Sequence, residues 1–300
     1  MRVSIGLPFY NAQRTLADAI RSIFAQTIED WELILVDDGS SDASADIARA
    51  VDDPRVRLVC DGANKGLPYR LNQIAGLAKS AYIARMDADD LMHPERLASQ
   101  VQYLDANPTV DVVFTATYTI NEHNIPVGVR SLAELDVRPK ALLQHGLAVH
   151  PTMMGRTEWY LANLYSDDYL RAEDHELWYR THTNTTFAKI RKPLFFYREY
   201  AVVNLNNYLK SGQTDRKIFR EYGPSMVGWP TTMELMVKSQ LKGQLYRILT
   251  ALGKQDVLIR MRNDMLSEHE KETAAQVIQH ILAVHIPGFT ADGLYEEFLM

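Results

Sequence analysis

Across the first ninety residues, four short apolar runs alternate with helix-patterned segments, and each run stops at a polar or Gly-containing loop. Arg2 to Phe9, Glu32 to Val36, Val56 to Cys60 and Tyr82 to Met86 have strand length and content. Between them, Thr15 to Gln26 places Leu16, Ala19, Ile20, Ile23 and Phe24 at helical spacing, Asp42 to Val51 is a short helix pattern, and Leu67 to Lys79 carries Leu71, Ile74, Ala75 and Ala78 on one face. This alternation demands a parallel sheet with helices on both faces. In such sheets ligands bind outside the carboxyl ends of the strands. The candidate site is therefore composite: Pro8 to Asn11, Asp37 to Ser40, Asn64 to Gly66, and Asp87 to Asp90.

The fourth run ends in three carboxylates within four residues, Asp87-Ala88-Asp89-Asp90, and contains one charged residue, Arg85. Residues i and i+2 of an extended chain point to the same side, so Asp87 and Asp89 can converge. Their repulsion opposes ionising both unless a cation lies between them. All-oxygen ligands suit Mg²⁺ or Mn²⁺, ions that usually also hold substrate phosphates. The plain alternative is an acidic turn, with Asp90 near the start of the helix that opens at Pro94.

Further along, Leu97, Val101 and Leu104 share a helix face, and Asp111 to Ile120 predicts a strand with Ile125 to Val129 as its hairpin partner. Ala141 to Ala148 predicts a helix leading to His150-Pro151. Glu173-Asp174 predicts a helix start, where acids favour the dipole. Thr185 to Tyr197 reads as a strand pair or bend. From residue 204 helices dominate, at 204–222, 231–252, 255–267, 270–285 and 291–299.

A net charge of −6 argues against general nucleic-acid binding. The single cysteine, Cys60, cannot form an internal disulfide; a buried structural thiol and a reducing cytoplasm are expected. The N-terminus enters a strand-like run at once, with no signal peptide, and no segment approaches the ~20 apolar residues of a membrane span.

Taken in order, Leu7-Pro8-Phe9-Tyr10-Asn11, Val36-Asp37-Asp38-Gly39-Ser40-Ser41-Asp42, Asn64-Lys65-Gly66, Asp87-Ala88-Asp89-Asp90 and Glu173-Asp174 closely resemble the motifs of glycosyltransferase family 2, the inverting enzymes with the GT-A fold. The resemblance covers roughly residues 1–200 of 300. It implies an α/β fold, a Rossmann-like mixed sheet flanked by helices. A catalytic domain would span 1–203, with a nucleotide-sugar half (1–110) and an acceptor half (111–203), followed by a helical region at 204–300. Pro8 and Tyr10 would line the nucleobase and ribose pocket, with Asn11 and Ala88 in the same donor-binding set. Asp38 would accept a hydrogen bond from the base, commonly uracil N3–H, and Asp37 would support the ribose side. Asn64, Gly66 and Arg70 would border the nucleotide and its diphosphate. Asp87 would face ribose and metal, and Asp89 would bind the divalent cation, Mn²⁺ or Mg²⁺. Asp174 would be the general base, with Glu173 the fallback, and His150 would lie on the acceptor side or be a satisfied buried histidine.

The implied activity is transfer of a hexose-type sugar from a nucleotide diphosphate donor, with UDP the expected carrier. The acceptor would be a glycan or lipid-linked saccharide of a bacterial surface-polysaccharide or lipopolysaccharide pathway. A sugar-nucleotide pyrophosphorylase is the first alternative, but it needs a Gly- and Arg-rich loop where Pro8-Phe9-Tyr10-Asn11 stands. A receiver-like signalling module would want an acidic pair after the first strand. Arg156 and Arg198 would meet phosphates or surface carboxylates; Trp178, Met153-Met154 and Phe195-Phe196-Tyr197 read as core. Lys238, Lys242, Arg247, Lys254, Arg260 and Arg262, against one acid (Asp256), lie among Leu235, Met236, Leu241, Leu245, Ile248, Leu249 and Leu252. This pattern is either a solvated helix face or a peripheral contact with the anionic inner face of the membrane.

Overall fold

The computed structural model describes residues 1–169, 171–199, 205–253 and 263–289. β1 (Val3–Phe9), β2 (Trp31–Asp37), β3 (Val56–Cys60) and β4 (Tyr82–Arg85) are all parallel, in the order β3-β2-β1-β4. Helices α1 (Leu16–Phe24), α2 (Ser44–Arg49) and α3 (Leu67–Leu77) make the crossovers. β1 and β2 are buried along their full length. That explains their unbroken apolar sequences, since both faces of a parallel sheet are covered. Leu33 and Leu35 enter one core with α1 and α2, whereas Ile34 and Val36 enter the other with α3. β3 is the edge strand. Its last residue, Cys60, is consequently exposed rather than buried.

The second half continues the same sheet. It adds β5 (Leu91–Met92), α4 (Arg96–Ala106), β6 (Val112–Ile120), β7 (Pro126–Arg130), α5 (Pro139–His145), β8 (Met154–Arg156), α6 (Thr157–Ala162), α7 (Glu173–Thr181) and β9 (Phe187–Arg198). β8 runs antiparallel to both β4 and β6 and so joins the halves into one mixed sheet. The β6–β7 hairpin forms as expected. The expected strand pair or bend at 185–197 is instead one long strand, β9, lying parallel to β6. Its register slips where Thr115 opposes Ile190 but Ala116 opposes Pro193. Proline has no N–H to give the ladder, and the irregularity absorbs it.

Three further helices are described: α8 (Leu205–Val227), α9 (Trp229–Ala251) and α10 (Glu268–Leu282). α8 packs on α5, α7 and α9, and α10 packs on α1 and β7. A complete capping box, Ser267 with Glu270, starts α10. The helix expected at 255–267 falls mostly outside the described residues. Its last part is extended rather than helical, with Asp264 bridged to Val129. The helix expected at 291–299 lies outside the described residues. Among those residues, no helix is long and apolar enough to cross a membrane.

Candidate functional site

The carboxyl ends of β1 and β4 open onto a cavity of about 530 Å³ lined by Pro8 to Thr15, Asp42, Asp87, Ala88 and Asp89. Thus Pro8, Tyr10, Asn11, Asp87, Ala88 and Asp89 are brought together as the sequence suggested. Tyr10 is 52 % exposed and free to receive a flat ligand. Asn11 adopts a left-handed conformation (φ 49) and its Oδ1 accepts from Ser41 N, tying the first loop to the second. Asp42, which the sequence reading placed in a motif without a role, also lines the cavity and accepts from Gln13 N at 3.2 Å.

Asp37, Asp38, Asn64, Gly66 and Arg70 do not line that cavity; they build its support. Asp38 N donates to Phe9 O at 2.8 Å. The Asp38 carboxylate accepts from Lys65 N (2.8 Å), Gly66 N (3.1 Å) and Arg70 Nε (2.8 Å). Asp37 accepts from Ser40 N at 3.0 Å. Gly39 is obligatory here: its φ is +78, and a Cβ would stand 2.9 Å from the Ala63–Asn64 backbone. Arg70 corrects an expectation. Its side chain is fully buried, and its five N–H donors go to Asp38, to both oxygens of Asp61, to Gln73 and to Ala63 O. No donor remains for a diphosphate, so its work is to hold Asp38. Arg70→Met should cost about 3–5 kcal/mol, because it strands a buried carboxylate. Chemical denaturation of the variant checks this.

At the end of β4, Asp87, Asp89 and Asp90 each bring one carboxylate oxygen within 4.8 Å of the others. They differ in circumstance. Asp87 takes a hydrogen bond from Arg85 Nη1 at 2.9 Å. Asp89 is pushed up to about 6 by burial and then by the charge of Asp87. Asp90 is buried, accepts from Arg198 N at 2.7 Å, and is raised well above the usual range by burial and by its two neighbours. This hard, all-oxygen, under-neutralised set fits a divalent cation, with Asp87 and Asp89 facing the cavity and Asp90 turned into the fold. Arg198 donates to Asp89 O (2.6 Å), Asn121 O (2.8 Å) and Asn124 Oδ1 (2.6 Å), clamping the acidic loop to the end of β9. Arg156 likewise binds backbone carbonyls, of Val110, Leu104 and Asn107.

A second cavity, of about 320 Å³, is lined by Arg85, Asp87, Arg130, Ala148 to Pro151, Glu173, Asp174 and Tyr197. Asp87 is the wall it shares with the first. His150 is buried, with Nε2 2.8 Å from Tyr165 Oη, and it lines this cavity. Its Nδ1 lies 3.7 Å from Glu173 Oε1 and 3.9 Å from Asp174 Oδ2. Burial, followed by the charge of Arg85, holds His150 well below the usual histidine range and therefore neutral. Glu173 is raised to about 7 by burial and then by Asp174. Asp174 has the more open carboxylate of the pair, 19 % exposed against 9 %.

Sequence reasoning noted Arg85 without giving it a role. It is buried, is held charged by Asp87 against the cost of burial, and has a buried Nε with no partner. The available signal was a lone cation inside an apolar strand. Trp178, Phe195 and Phe196 are buried as expected, and Tyr197 packs against the core while also lining the cavity.

A mixed α/β sheet whose strand ends set an Asp-x-Asp cluster across from a second carboxylate pair defines a GT-A type protein. The sequence profile of Glycosyl transferase family 2 matches residues 4–190, and the chain belongs to that family. The Bacillus subtilis protein EpsE, provisionally described as a glycosyltransferase, is 36 % identical over 162 residues, which are 53 % of this chain. The chain thus spans 58 % of the length of that relative. An Escherichia coli protein, WfgD, is 30 % identical over 176 residues (59 % of this chain and 68 % of WfgD). WfgD is described as a UDP-Glc:α-D-GlcNAc-diphosphoundecaprenol β-1,3-glucosyltransferase. In fold, the chain resembles S. aureus TarS (residues 1–349), solved in complex with UDP-GlcNAc. The TM-score is 0.61 at 14 % identity, over 96 % of this chain and 82 % of that one.

Proposed function

We propose that this chain transfers a sugar, with inversion, from a nucleoside-diphosphate sugar to a hydroxyl of a glycan or lipid-linked saccharide, and that UDP is the carrier. One observation carries the reading: the acidic cavity behind Tyr10 and the cavity holding Glu173 and Asp174 meet at a single side chain, Asp87. The donor's diphosphate belongs in the first and the acceptor hydroxyl in the second, so the anomeric carbon lies between them. The UDP-glucose specificity in the description of WfgD, and its diphospholipid-linked acceptor, support UDP and a lipid-linked saccharide here.

Asp174 takes the proton of the acceptor hydroxyl. The hydroxyl oxygen attacks the anomeric carbon from the face opposite the diphosphate, through an oxocarbenium-like state. The anomeric C–O bond breaks, leaving its electron pair on the phosphate. Asp87 and Asp89 would hold Mn²⁺ or Mg²⁺, which when bound supplies Lewis-acid stabilisation of the leaving diphosphate. Arg85 orients Asp87 from the side of the second cavity. Thermal-shift screening tests the donor: UDP-sugars should raise Tm with Mn²⁺ present and not without it. Stabilisation by no nucleotide sugar would sink the reading.

The helices favour a membrane-surface setting. Met233, Val237, Leu241, Leu245, Ile248 and Leu252 form an exposed apolar stripe along α9. At 3.6 residues per turn, Lys238 and Lys242 flank it on one side and Arg247 on the other. Residues 205–251 hold seven Lys and Arg against three Asp and Glu, in a chain of net charge −6. Lys254, Asp256, Arg260 and Arg262 of the basic window lie outside the described residues. An anionic bilayer fits this face. The protein should float with phosphatidylglycerol vesicles but not with phosphatidylcholine ones. Leu241→Glu with Ile248→Glu should abolish flotation; undiminished flotation would remove this face from the account.

A further inference from the structure

α8 and α9 line neither the donor cavity nor the second cavity, yet α8 touches the catalytic turn at a charged point. His175 follows Asp174 in the first turn of α7. Its Nδ1 lies 3.0 Å from Asp215 Oδ1 on α8. The ring packs on Trp178 and Tyr179, at centroid distances of 5.7 and 6.0 Å. Gly146, just past α5, closes the remaining side: with φ +67, any Cβ there would stand 3.0 Å from His175 Nε2. The ring is thus held by a carboxylate, two aromatics and a backbone approach that only glycine permits. The backbone N–H of His175 in turn donates to Asp174 Oδ1 at 2.9 Å.

We propose that the Asp215–His175 pair is the joint through which the C-terminal helices aim the candidate base, so that both are positioning residues for sugar transfer. The first turn of α7 needs such a joint. It carries Glu173, Asp174 and Glu176, and its N-cap, Ala172, is a non-glycine residue in the left-handed region (φ 63) with no side-chain cap. Three carboxylates at a helix start repel one another; Arg180 pairs with Glu176 at 2.8 Å and the charge of Arg85 acts on Glu173, while His175 is the cation beside Asp174. Burial works against the charged ring, but Asp174, Asp215 and Glu173 together raise it to about 9, so it is an imidazolium at neutral pH. The charged and titratable groups around it are Asp215 from α8, Glu173, Asp174 and Tyr179 from α7 itself, and neutral His150 from the turn after α5. A second contact from α8, Tyr222 Oη to Glu176 Oε1 at 2.8 Å, fixes the same turn one residue on. Any event that shifts α8 therefore reaches Asp174 through one hydrogen bond and one ring.

The proposal rests on Asp174 as the base, and the test separates the two ideas. The full chain is assayed with UDP-glucose, Mn²⁺ and an α-GlcNAc-diphospholipid acceptor. Asp215→Asn should lower kcat about 10–100-fold with little change in donor KM, and Asp215→Glu should recover most of the loss. By NMR, the His175 ring should titrate near 9 in the wild type and move toward its ordinary value in Asp215→Asn. An unchanged kcat in Asp215→Asn beside an inactive Asp174→Asn would overturn the joint. So would a loss that raises KM in parallel and is not rescued by glutamate, which would mark a merely structural contact. Full activity in Asp174→Asn would instead overturn the base assignment.

Discussion

Asp174→Asn is expected to lower kcat for transfer about 10²–10⁴-fold, the usual contribution of a positioned base, while donor affinity stays near that of the wild type. The separation follows from geometry. Asp174 lines the second cavity and not the first, so on the proposed assignment an isosteric amide removes the proton acceptor and leaves the walls of the first cavity intact. Glu173, one residue earlier, is the internal control. Its carboxyl is raised to about 7 by burial. Its folded value lies above its unfolded one, so its contribution to stability is complete below the unfolded value and is lost as pH rises through about 7. In catalysis, ionisation near 7 sets a second negative charge beside Asp174. The kcat profile should therefore rise through that pH, and Glu173→Gln should remain active but lose the limb. An inactive Glu173→Gln with an active Asp174→Asn would exchange the two roles.

Asp89→Ala is expected to abolish cation-dependent turnover. A Lewis-acid contribution of several kcal/mol corresponds to a loss of about 10³-fold at 4 kcal/mol. The same substitution should leave metal-free stability equal to or above that of the wild type. Asp89 is raised to about 6 by burial and by the charge of Asp87, so in the metal-free protein its removal relieves that repulsion. The titration has a further consequence. A cation must displace the proton from Asp89, so Mn²⁺ affinity in the wild type should tighten as pH rises through 6, which isothermal calorimetry reads directly. A full loss of fold in Asp89→Ala, or unchanged activity, would contradict the metal assignment.

The parallel half of the fold was legible because β1 and β2, buried on both faces, leave unbroken apolar runs, and each ends at a loop the site uses. β8 was not legible, because three residues that join two halves of a sheet carry no periodicity. Nor was β5, with two residues. β9 reads in the sequence as a strand pair or bend, whereas β6 pairs with it on either side of Pro193. Asp87 and Asp89 were singled out by spacing, and the 173–174 pair by the family resemblance. What spacing could not tell was which charges are consumed inside the fold. Arg70 is fully buried among Asp38 and Asp61, residues 32 and 9 positions away, and Arg198 reaches back 109 positions to Asp89. Asp215 meets His175 across 40 positions and belongs to a helix whose sequence has no motif. Such pairings belong to the packed sheet and helices, not to any local run of residues.

The most direct test is the anomeric configuration of the product. With an α-linked UDP-sugar, Mn²⁺ and a hydroxyl acceptor, proton NMR of the first product formed should show a β-glycoside, as one displacement driven from the Asp174 side requires. An α-glycoside would mean that the sugar's configuration survives transfer. It would contradict the account of a donor and an acceptor meeting on either side of Asp87.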